Sequence, residues 1–282
     1  MDGNIATGGD VITLANGHRL GFAQCGDLDG GPLLFFHGTP GSRVLGLSLH
    51  EVARRHGIRV IAPERPGYGT SDYWRARTVA DWCAAVVELA DRLAVDRFSV
   101  LGVSGGGPYA LGCGHLCPQR VETVTLVSSR GLGYRGGMPG LGAALAALSL
   151  LSERLPGLPL ALVARRARRR PGAFVDRLNR QVGSPARQVD VGQIIYDDLQ
   201  EAFASGSRGT GADLTRSRRW GFEPEQVSHP VRLWHGEGDR QVSVAAARTL
   251  AARLPKVEAT FLPFEGHLDV LPAHIDEVLS SV

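Results

Sequence analysis

A serine flanked by glycines, at the junction of a predicted strand and a predicted helix, constrains this fold more than any other feature. Residues 98–103 form an apolar run typical of a buried strand, and residues 106–117 have the composition of a helix. Between them the chain reads G-x-S-x-G, with Gly102, Ser104 and Gly106 at the defined positions. In such a tight turn the serine hydroxyl projects beyond the sheet, and side chains two residues to either side would collide. The pattern therefore predicts a reactive serine on a strand-turn-helix unit.

The same alternation of short apolar runs and helix-like segments extends on both sides of this unit. Two short runs at 11–14 and 20–24, separated by turn residues, predict a hairpin. Further strands are predicted at 32–36, 58–62, 121–127, 231–234 and 257–262, and helices at 43–56, 79–93, 244–254 and 275–280. The strand runs are apolar throughout, which indicates burial on both faces. We therefore expect an α/β fold with a mostly parallel, twisted central β-sheet flanked by helices.

The alternation stops between residues 131 and 226. This segment is rich in Leu, Ala, Arg, Gly and Pro and has no convincing strand, but it has helix-like pieces at 141–151, 173–182 and 193–203. A chain of 282 residues can form one large domain or two smaller ones. Because strands resume after residue 226, we expect one α/β core domain, 1–130 and 227–282, interrupted by a helical insertion at 131–226.

Arginine is concentrated in that insertion. The chain has a formal charge of +3, which does not indicate a nucleic-acid partner. The segment 131–226 nevertheless holds 14 arginines and no lysine against 9 acidic residues, and five of the arginines fall at 165–170. An anionic ligand or a membrane surface could meet such a cluster. Charge runs are usually solvated, so we favour a solvated helix face.

Several other classes of protein are disfavoured. The four cysteines, at 25, 83, 113 and 117, are too few for a disulfide scaffold in a chain this long, and their spacing is a weak metal signal, so we expect buried, reduced thiols. The N-terminal residues lack the pattern of a secretory signal. No apolar run approaches the length of about 20 residues that a bilayer requires. We therefore expect a cytoplasmic protein with no membrane span.

A serine hydroxyl is a weak nucleophile and requires a neighbouring base. Three of the nine histidines, His37, His235 and His267, follow predicted strands, where loops at the carboxyl edge of a parallel sheet carry catalytic groups. A carboxylate must then orient the imidazole. Asp239 follows the penultimate strand, 28 residues before His267. One helix and one strand fill that interval, so both loops can open on the same edge.

Other acids remain possible at this stage. Glu237 is the close rival of Asp239, and Asp269 is a weaker one. The position after the sixth strand reads Ser128-Ser129-Arg130 and offers no carboxylate.

The His37-Gly38 turn, the G-x-S-x-G motif, Asp239 and His267 follow one another in an order that resembles the α/β-hydrolase superfamily. The resemblance covers nearly the whole chain. It implies that Ser104 is the nucleophile, His267 the general base and then acid, and Asp239 the orienting acid. No metal or organic cofactor is required.

The resemblance also assigns the surrounding groups. The backbone N–H groups of Thr39 and Gly105 would form the oxyanion hole, while His37 would brace the adjacent turn and His235 would pack at its strand end. Residues 63–72 resemble a loop common in the superfamily whose role there is structural, so Asp72 is not expected to be catalytic. The insertion corresponds to the helical cap that roofs the site in this superfamily, with residues 220–222 packing it onto the core.

The residue at the centre of the G-x-S-x-G turn, which we call the elbow, narrows the chemistry. Dehalogenases and epoxide hydrolases of this fold place an aspartate where this chain has Ser104, so acyl transfer is favoured. The turn His37-Gly38-Thr39-Pro40-Gly41 is similar to the H-G-G-P-G turn of proline iminopeptidases, but Thr39 replaces a glycine. Those enzymes also use cap acids to hold a substrate ammonium. The insertion offers Asp197, Asp198 and Glu201, which would equally suit a helix surface.

These observations lead to one main hypothesis and several alternatives. The main hypothesis is a serine hydrolase that cleaves an ester or related acyl bond of a small-molecule substrate through an acyl-enzyme. The alternatives are a proline iminopeptidase-like aminopeptidase, a ligand-binding protein that kept the scaffold, and an acyltransferase or carbon–carbon hydrolase. The sequence leaves open whether the protein is a monomer or a homodimer.

Overall fold

The computed structural model describes residues 9–75, 78–131, 191–216, 220–280 and 282. Within them, the strands are β1 Asp10–Thr13, β2 Arg19–Gly26, β3 Gly31–Phe36, β4 Ile58–Pro63, β5 Phe98–Val103, β6 Val121–Val127, β7 Val231–Gly236 and β8 Val257–Leu262. They form one sheet in the order β1-β2-β4-β3-β5-β6-β7-β8. The pairs β1–β2 and β2–β4 are antiparallel, and the others are parallel. The predicted mostly parallel sheet is thus confirmed.

The α-helices of the described residues are α1 Arg43–Leu47, α2 His50–Arg55, α3 Val79–Arg92, α4 Gly107–Leu116, α5 Val191–Ala202, α6 Arg208–Arg216, α7 Val244–Arg253 and α8 Val270–Ser280. The single helix predicted at 43–56 is two short helices, and the last helix begins five residues before its predicted start. The helix predicted at 193–203 corresponds to α5. Those predicted at 141–151 and 173–182, and the arginines at 165–170, lie outside the described residues.

Both faces of the sheet are buried, as the continuous apolar strands predicted. Successive side chains of a strand point to opposite faces. In β3, Leu34 and Phe36 therefore join the apolar cluster formed with α3, α4 and α7. Leu33 and Phe35 join the other cluster, which is formed with α1, α2 and α8. Because a parallel sheet covered in this way hides its strands, the loops at the carboxyl ends of the strands are the natural place for polar chemistry.

Two further expectations are met by this packing. Trp220 and Phe222 are buried in the cluster on the α3–α4 side, where Phe222 stacks on His115 of α4. The segment 220–222 therefore packs onto the core. All four cysteines are buried, free thiols. Among the residues the structure describes, no helix combines the length and the apolar character needed to cross a membrane.

Candidate active site

The serine of the G-x-S-x-G motif lies on a strained turn between β5 and α4. β5 ends at Val103, a short 3-10 turn covers Ser104–Gly106, and α4 begins at Gly107. Ser104 has φ of +51°, in the left-handed region that non-glycine residues seldom occupy. Its side chain is nearly buried. A non-glycine residue held in this conformation beside a sheet edge indicates a position selected for its chemistry rather than for local stability.

Close backbone approaches explain the two flanking glycines. A Cβ atom on Gly106 would lie 2.1 Å from the carbonyl oxygen of Phe36, and one on Gly102 would lie 2.8 Å from the carbonyl oxygen of Gly106. Real Cβ atoms do not approach backbone this closely, so only glycine fits at either position. The steric reason predicted from the motif is therefore found in the structure.

Ser104 lies next to the two side chains that the sequence paired with it. The Oγ atom of Ser104 is 3.0 Å from Nε2 of His267, and Nδ1 of His267 is 2.7 Å from Oδ2 of Asp239. Asp239 follows β7 and His267 follows β8, so three loops at the carboxyl edge of the sheet supply the three groups. The arrangement has the geometry of a nucleophile, a base and an acid that orients the base.

Asp239 is held as an ionised acceptor. Its Oδ1 accepts hydrogen bonds from the backbone N–H groups of Gln241 at 2.7 Å and Val242 at 2.8 Å. Burial by itself would raise the pKa of Asp239, but the hydrogen bond and charge of His267, with these two N–H groups, outweigh burial and hold the pKa below its ordinary value. The carboxylate is therefore charged when it faces the imidazole.

The other candidate acids occupy different positions. Glu237 is partly exposed and forms an ion pair with Arg248. Asp269 is buried, and its Oδ2 accepts a hydrogen bond from the backbone N–H of Gly266 at 2.8 Å, which braces the loop that carries His267. Asp72 forms an ion pair with Arg19 at 3.2 Å, in line with the structural role expected of its loop.

The remaining two histidines beside strands are buried in supporting positions. Nε2 of His235 lies 3.0 Å from the carbonyl oxygen of Val242 and 3.5 Å from Oδ2 of Asp239. Burial lowers the pKa of His235, so its ring is neutral. His37 is buried in the turn after β3, where Nδ1 lies 2.8 Å from the carbonyl oxygen of Gly38. Both histidines therefore pack where the sequence placed them.

The predicted oxyanion donors, Thr39 and Gly105, lie side by side next to the serine. A Cβ atom on Gly105 would be 3.1 Å from the backbone nitrogen of Thr39 and 2.2 Å from its Oγ1. A Cβ atom on Gly38 would be 3.7 Å from Cβ of Ser104. The turn after β3 thus passes over the turn that carries Ser104 and brings the backbone nitrogen of Thr39 next to Gly105.

A buried arginine that the sequence analysis did not single out holds this turn. Arg65 follows β4 and has no exposed side-chain surface. Its guanidinium donates to the carbonyl oxygen of His37 at 2.5 Å and to that of Gly38 at 2.7 Å, and its backbone N–H donates to Nε2 of His37 at 3.2 Å. The rings of Tyr68 and Tyr109 flank the cation, with centroids 5.4 and 5.0 Å from Cζ. The available signal was that Arg65 is a charged residue shortly after a buried strand, at the edge of the sheet where the site lies.

Asp213 of α6 is the counter-ion of Arg65. Its Oδ2 accepts from Nε of Arg65 at 2.9 Å, from the hydroxyl of Tyr68 at 2.9 Å and from that of Thr39 at 3.1 Å. Its Oδ1 accepts from the hydroxyl of Tyr109, on the helix that follows Ser104, at 2.9 Å. One carboxylate from the predicted insertion therefore connects three segments around the candidate nucleophile.

A second carboxylate of the predicted insertion also binds the core. Oδ1 of Asp198, in α5, accepts from the backbone N–H of Ser42 at 2.8 Å, from its hydroxyl at 2.7 Å and from the N–H of Leu45 at 3.2 Å. Asp198 therefore caps the start of α1 from a distant part of the chain. It is not a surface residue, whereas Asp197 is exposed and bonds Gln193 on its own helix.

Burial dominates the electrostatics of this second contact. It raises the pKa of Asp198 to about 7, although the hydrogen bonds from Ser42 and Leu45 oppose the shift. Beside it, Arg43 forms ion pairs with Glu201 of α5 and with buried Glu64, each at 2.5 Å. Burial also raises the pKa of Glu64, despite the opposing charge of Arg43.

Comparison with known sequences establishes the class of protein. The sequence profile of the alpha/beta hydrolase family matches residues 33–280. The chain belongs to this family, as the order of its motifs predicted. It is thus an enzyme of the α/β-hydrolase class.

Individual relatives cover different shares of the chain. The uncharacterized protein Mb2734 of Mycobacterium bovis is 30% identical over 280 residues, covering 93% of this chain and 75% of that one. The pimeloyl-acyl-carrier-protein methyl ester esterase of Aromatoleum aromaticum is 28% identical over 225 residues, covering 76% and 82%. A shorter match to the uncharacterized hydrolase YcgS of Bacillus subtilis, 36% identical over 73 residues, covers 26% of each chain.

The fold has close counterparts among solved structures. A hydrolase from Pseudomonas aeruginosa PA01 superposes with a TM-score of 0.72 at 17% sequence identity, covering 98% of both chains. At this level of identity, the likeness concerns the fold.

Proposed function

We propose that this protein is a serine hydrolase that cleaves an ester or related acyl bond of a small molecule through a covalent acyl-enzyme. The observation that carries the proposal is the continuous contact from Ser104 Oγ to His267 Nε2 at 3.0 Å and from His267 Nδ1 to Asp239 Oδ2 at 2.7 Å. It is supported by membership of the alpha/beta hydrolase family and by the similarity to an esterase.

In the first half of the reaction, Nε2 of His267 takes the proton from Ser104 Oγ as that oxygen attacks the substrate carbonyl. Negative charge develops on the carbonyl oxygen, which accepts hydrogen bonds from the backbone N–H groups of Thr39 and Gly105. Each such donor contributes about 3 kcal/mol of transition-state stabilisation in comparable enzymes. His267 then donates this proton to the oxygen of the leaving alcohol, and the acyl group remains on Ser104.

In the second half, water replaces the alcohol. His267 removes a proton from the water as it attacks the acyl carbonyl, and the same donors stabilise the second tetrahedral intermediate. The proton then returns to Ser104 Oγ, which leaves as the acid is released. Asp239 stays ionised throughout and stabilises the imidazolium that forms in each half.

We further propose that residues 131–226 form a cap over this site, on a core of residues 1–130 and 227–282. Two described contacts support this role, because Asp213 of α6 bonds Thr39 and Asp198 of α5 bonds Ser42. Both contacts fall in the segment between β3 and α1, beside the proposed oxyanion hole. A cap held there would exclude water from the reacting carbonyl and restrict the substrate.

The state of the described cap acids favours an ester over an N-terminal proline peptide. An aminopeptidase needs a carboxylate that can receive the substrate ammonium. Asp198 and Asp213 instead accept several core donors each, and Glu201 forms an ion pair with Arg43. Asp197 is exposed and accepts from Gln193 of its own helix. The positive excess of the predicted insertion also disfavours a cationic substrate.

The test combines covalent labelling with a substrate panel. Purified protein is treated with a fluorophosphonate, the modified residue is located by mass spectrometry, and turnover is measured on p-nitrophenyl esters of increasing acyl length, lactones, amides and N-terminal proline peptides. We expect label on Ser104 and turnover of short-acyl esters. Preferential turnover of the peptides would favour the aminopeptidase, and label without any turnover would favour a ligand-binding protein. Ester formation with added alcohol would indicate acyl transfer.

A further inference from the structure

We infer that Arg65 is a positioning residue for the oxyanion hole, and that Asp213 of α6 makes that role possible. The inference rests on the proposed function, because it concerns how the Thr39 N–H group is held toward the reacting carbonyl. It gives a function to the buried ion pair of Arg65 and Asp213, which is separate from Ser104, His267 and Asp239.

The geometry of one peptide group links Arg65 to the Thr39 donor. The Gly38 carbonyl and the Thr39 N–H belong to the same planar peptide unit, and in the trans form they point in opposite directions. Fixing the carbonyl therefore fixes the direction of the N–H. Arg65 donates to the Gly38 carbonyl at 2.7 Å, and His37 Nδ1 lies 2.8 Å from the same oxygen. Two donors thus hold the plane from the side opposite the site.

The charge of Arg65 also affects the strength of the Thr39 donor. A hydrogen bond from a cation is shorter and stronger than one between neutral groups. Hydrogen bonds in series also polarise one another in a low-dielectric interior. A guanidinium on the Gly38 carbonyl therefore draws electron density from that peptide and makes its N–H a better donor to an oxyanion.

The acceptors around residue 65 require an arginine. Arg65 donates at once to the carbonyls of His37 and Gly38 and to Asp213. These acceptors match a planar fork, whereas a lysine ammonium is a single point on a flexible stem. Arg65→Lys would therefore keep the charge but lose some of these hydrogen bonds.

Arg65 also requires a counter-ion. A buried cation without a partner is strongly destabilising, so Arg65 can stay in place only with Asp213 beside it. Asp213 also accepts from the Thr39 hydroxyl at 3.1 Å, so it directly contacts the turn that carries the proposed oxyanion donor. Since α6 lies in the predicted cap, the predicted cap supplies the counter-ion that keeps Arg65 in contact with the turn.

Arg43 provides a matched control within the same molecule. It is a buried arginine near the same turn and also pairs with a core acid and an acid from the insertion, Glu64 and Glu201. Its described hydrogen bonds go to those two carboxylates, not to the carbonyls of residues 37 and 38. A purely structural effect of weakening a buried ion pair between insertion and core should therefore appear equally at Arg43 and Arg65.

The test compares Arg65→Lys with Arg43→Lys. Steady-state kinetics on a p-nitrophenyl ester, the rate of fluorophosphonate labelling and thermal melting are measured for both variants and for the wild type. We expect Arg65→Lys to lower kcat by about 100-fold, with KM within a few-fold and a parallel loss in labelling rate. Arg43→Lys should keep kcat within about twofold, whatever its melting temperature. Equal kcat for Arg65→Lys and wild type, or equal losses in both variants, would overturn the inference.

A second variant and a spectroscopic measurement complete the test. If Arg65→Lys does not fold, Asp213→Asn takes its place, and we expect about a 10-fold fall in kcat because the guanidinium loses its counter-ion; unchanged kcat there contradicts the inference. The amide resonance of Thr39, followed in protein labelled with ¹⁵N-threonine, should move in Arg65→Lys but not in Arg43→Lys. If the wild type neither turns over esters nor takes the label, the proposed function fails, and the Thr39 resonance alone decides whether Arg65 holds this peptide.

Discussion

Oδ2 of Asp239 lies 2.7 Å from Nδ1 of His267, and this contact determines which ring nitrogen carries the proton. An ionised carboxylate can only accept, so Nδ1 must hold the hydrogen. Nε2 is then left as the acceptor that faces Ser104 Oγ at 3.0 Å. The orientation and the tautomer of the proposed base therefore both depend on one carboxylate.

Replacing that carboxylate with an amide tests its role. In Asp239→Asn the side chain can donate to Nδ1, which favours the tautomer with a hydrogen on Nε2 and removes the base. We expect kcat on a p-nitrophenyl ester to fall by a factor on the order of 10⁴. The control is Glu237→Gln, which changes the neighbouring acid that pairs with Arg248 and should keep kcat within about twofold. Larger loss in the Glu237 variant would reverse the assignment of the acid.

The contact of Asp198 with α1 predicts a pH-dependent stability. Burial raises the pKa of Asp198 to about 7, whereas the unperturbed value is 3.8. Between these values the folded protein binds a proton that the unfolded chain does not, so this residue makes stability fall as the pH rises from about 4 to about 7. Below both values its contribution no longer changes with pH.

The variant Asp198→Asn isolates this effect, since an amide oxygen can still accept from Ser42 and Leu45 but does not titrate. We expect urea unfolding to show a smaller loss of stability for the variant than for the wild type between about pH 4 and about pH 7. Asp197→Asn, on the exposed side of the same helix, should follow the wild-type profile. Parallel profiles for wild type and Asp198→Asn would mean that the carboxyl is ionised without penalty.

Close backbone contacts in the elbow predict a steric cost for a side chain at Gly106, whereas Gly31 of β3 has room for one. In Gly106→Ala the new methyl would lie 2.1 Å from the Phe36 carbonyl oxygen, so β3 and the turn must separate. We expect the free energy of unfolding to fall by about 3 kcal/mol, with loss of esterase activity. In Gly31→Ala the nearest atom to the added methyl is 4.0 Å away, and the change should be within about 0.5 kcal/mol. Similar stability of the two variants would show that the elbow tolerates a side chain.

The sheet and the set of Ser104, His267 and Asp239 were predictable because the sequence patterns that indicate them are local. Each buried strand is a short apolar run ended by turn residues, and the spacing of Ser104, Asp239 and His267 follows from strands that end at one edge. The break between α1 and α2 was not predictable. The apolar spacing continues across 43–56, whereas in the structure α1 ends at Leu47 and α2 begins at His50.

The supporting ion pairs could not be predicted from the sequence for a different reason. Arg65 and Asp213 are 148 positions apart, and their contact depends on how α6 packs against the loop after β4. Asp198 likewise reads as one polar residue among several on an amphipathic helix, and only packing distinguishes it from exposed Asp197. A local pattern identifies the reacting groups, while the groups that hold them arise from tertiary contacts.

The central claim is that Ser104 is the nucleophile, and the most direct measurement is turnover of a p-nitrophenyl ester by wild type and by Ser104→Ala. The variant removes one oxygen atom at a nearly buried position, so circular dichroism and thermal melting should show the fold intact. The account predicts that kcat falls by a factor on the order of 10⁶ and that fluorophosphonate labelling disappears. Turnover by folded Ser104→Ala at the wild-type rate would contradict it.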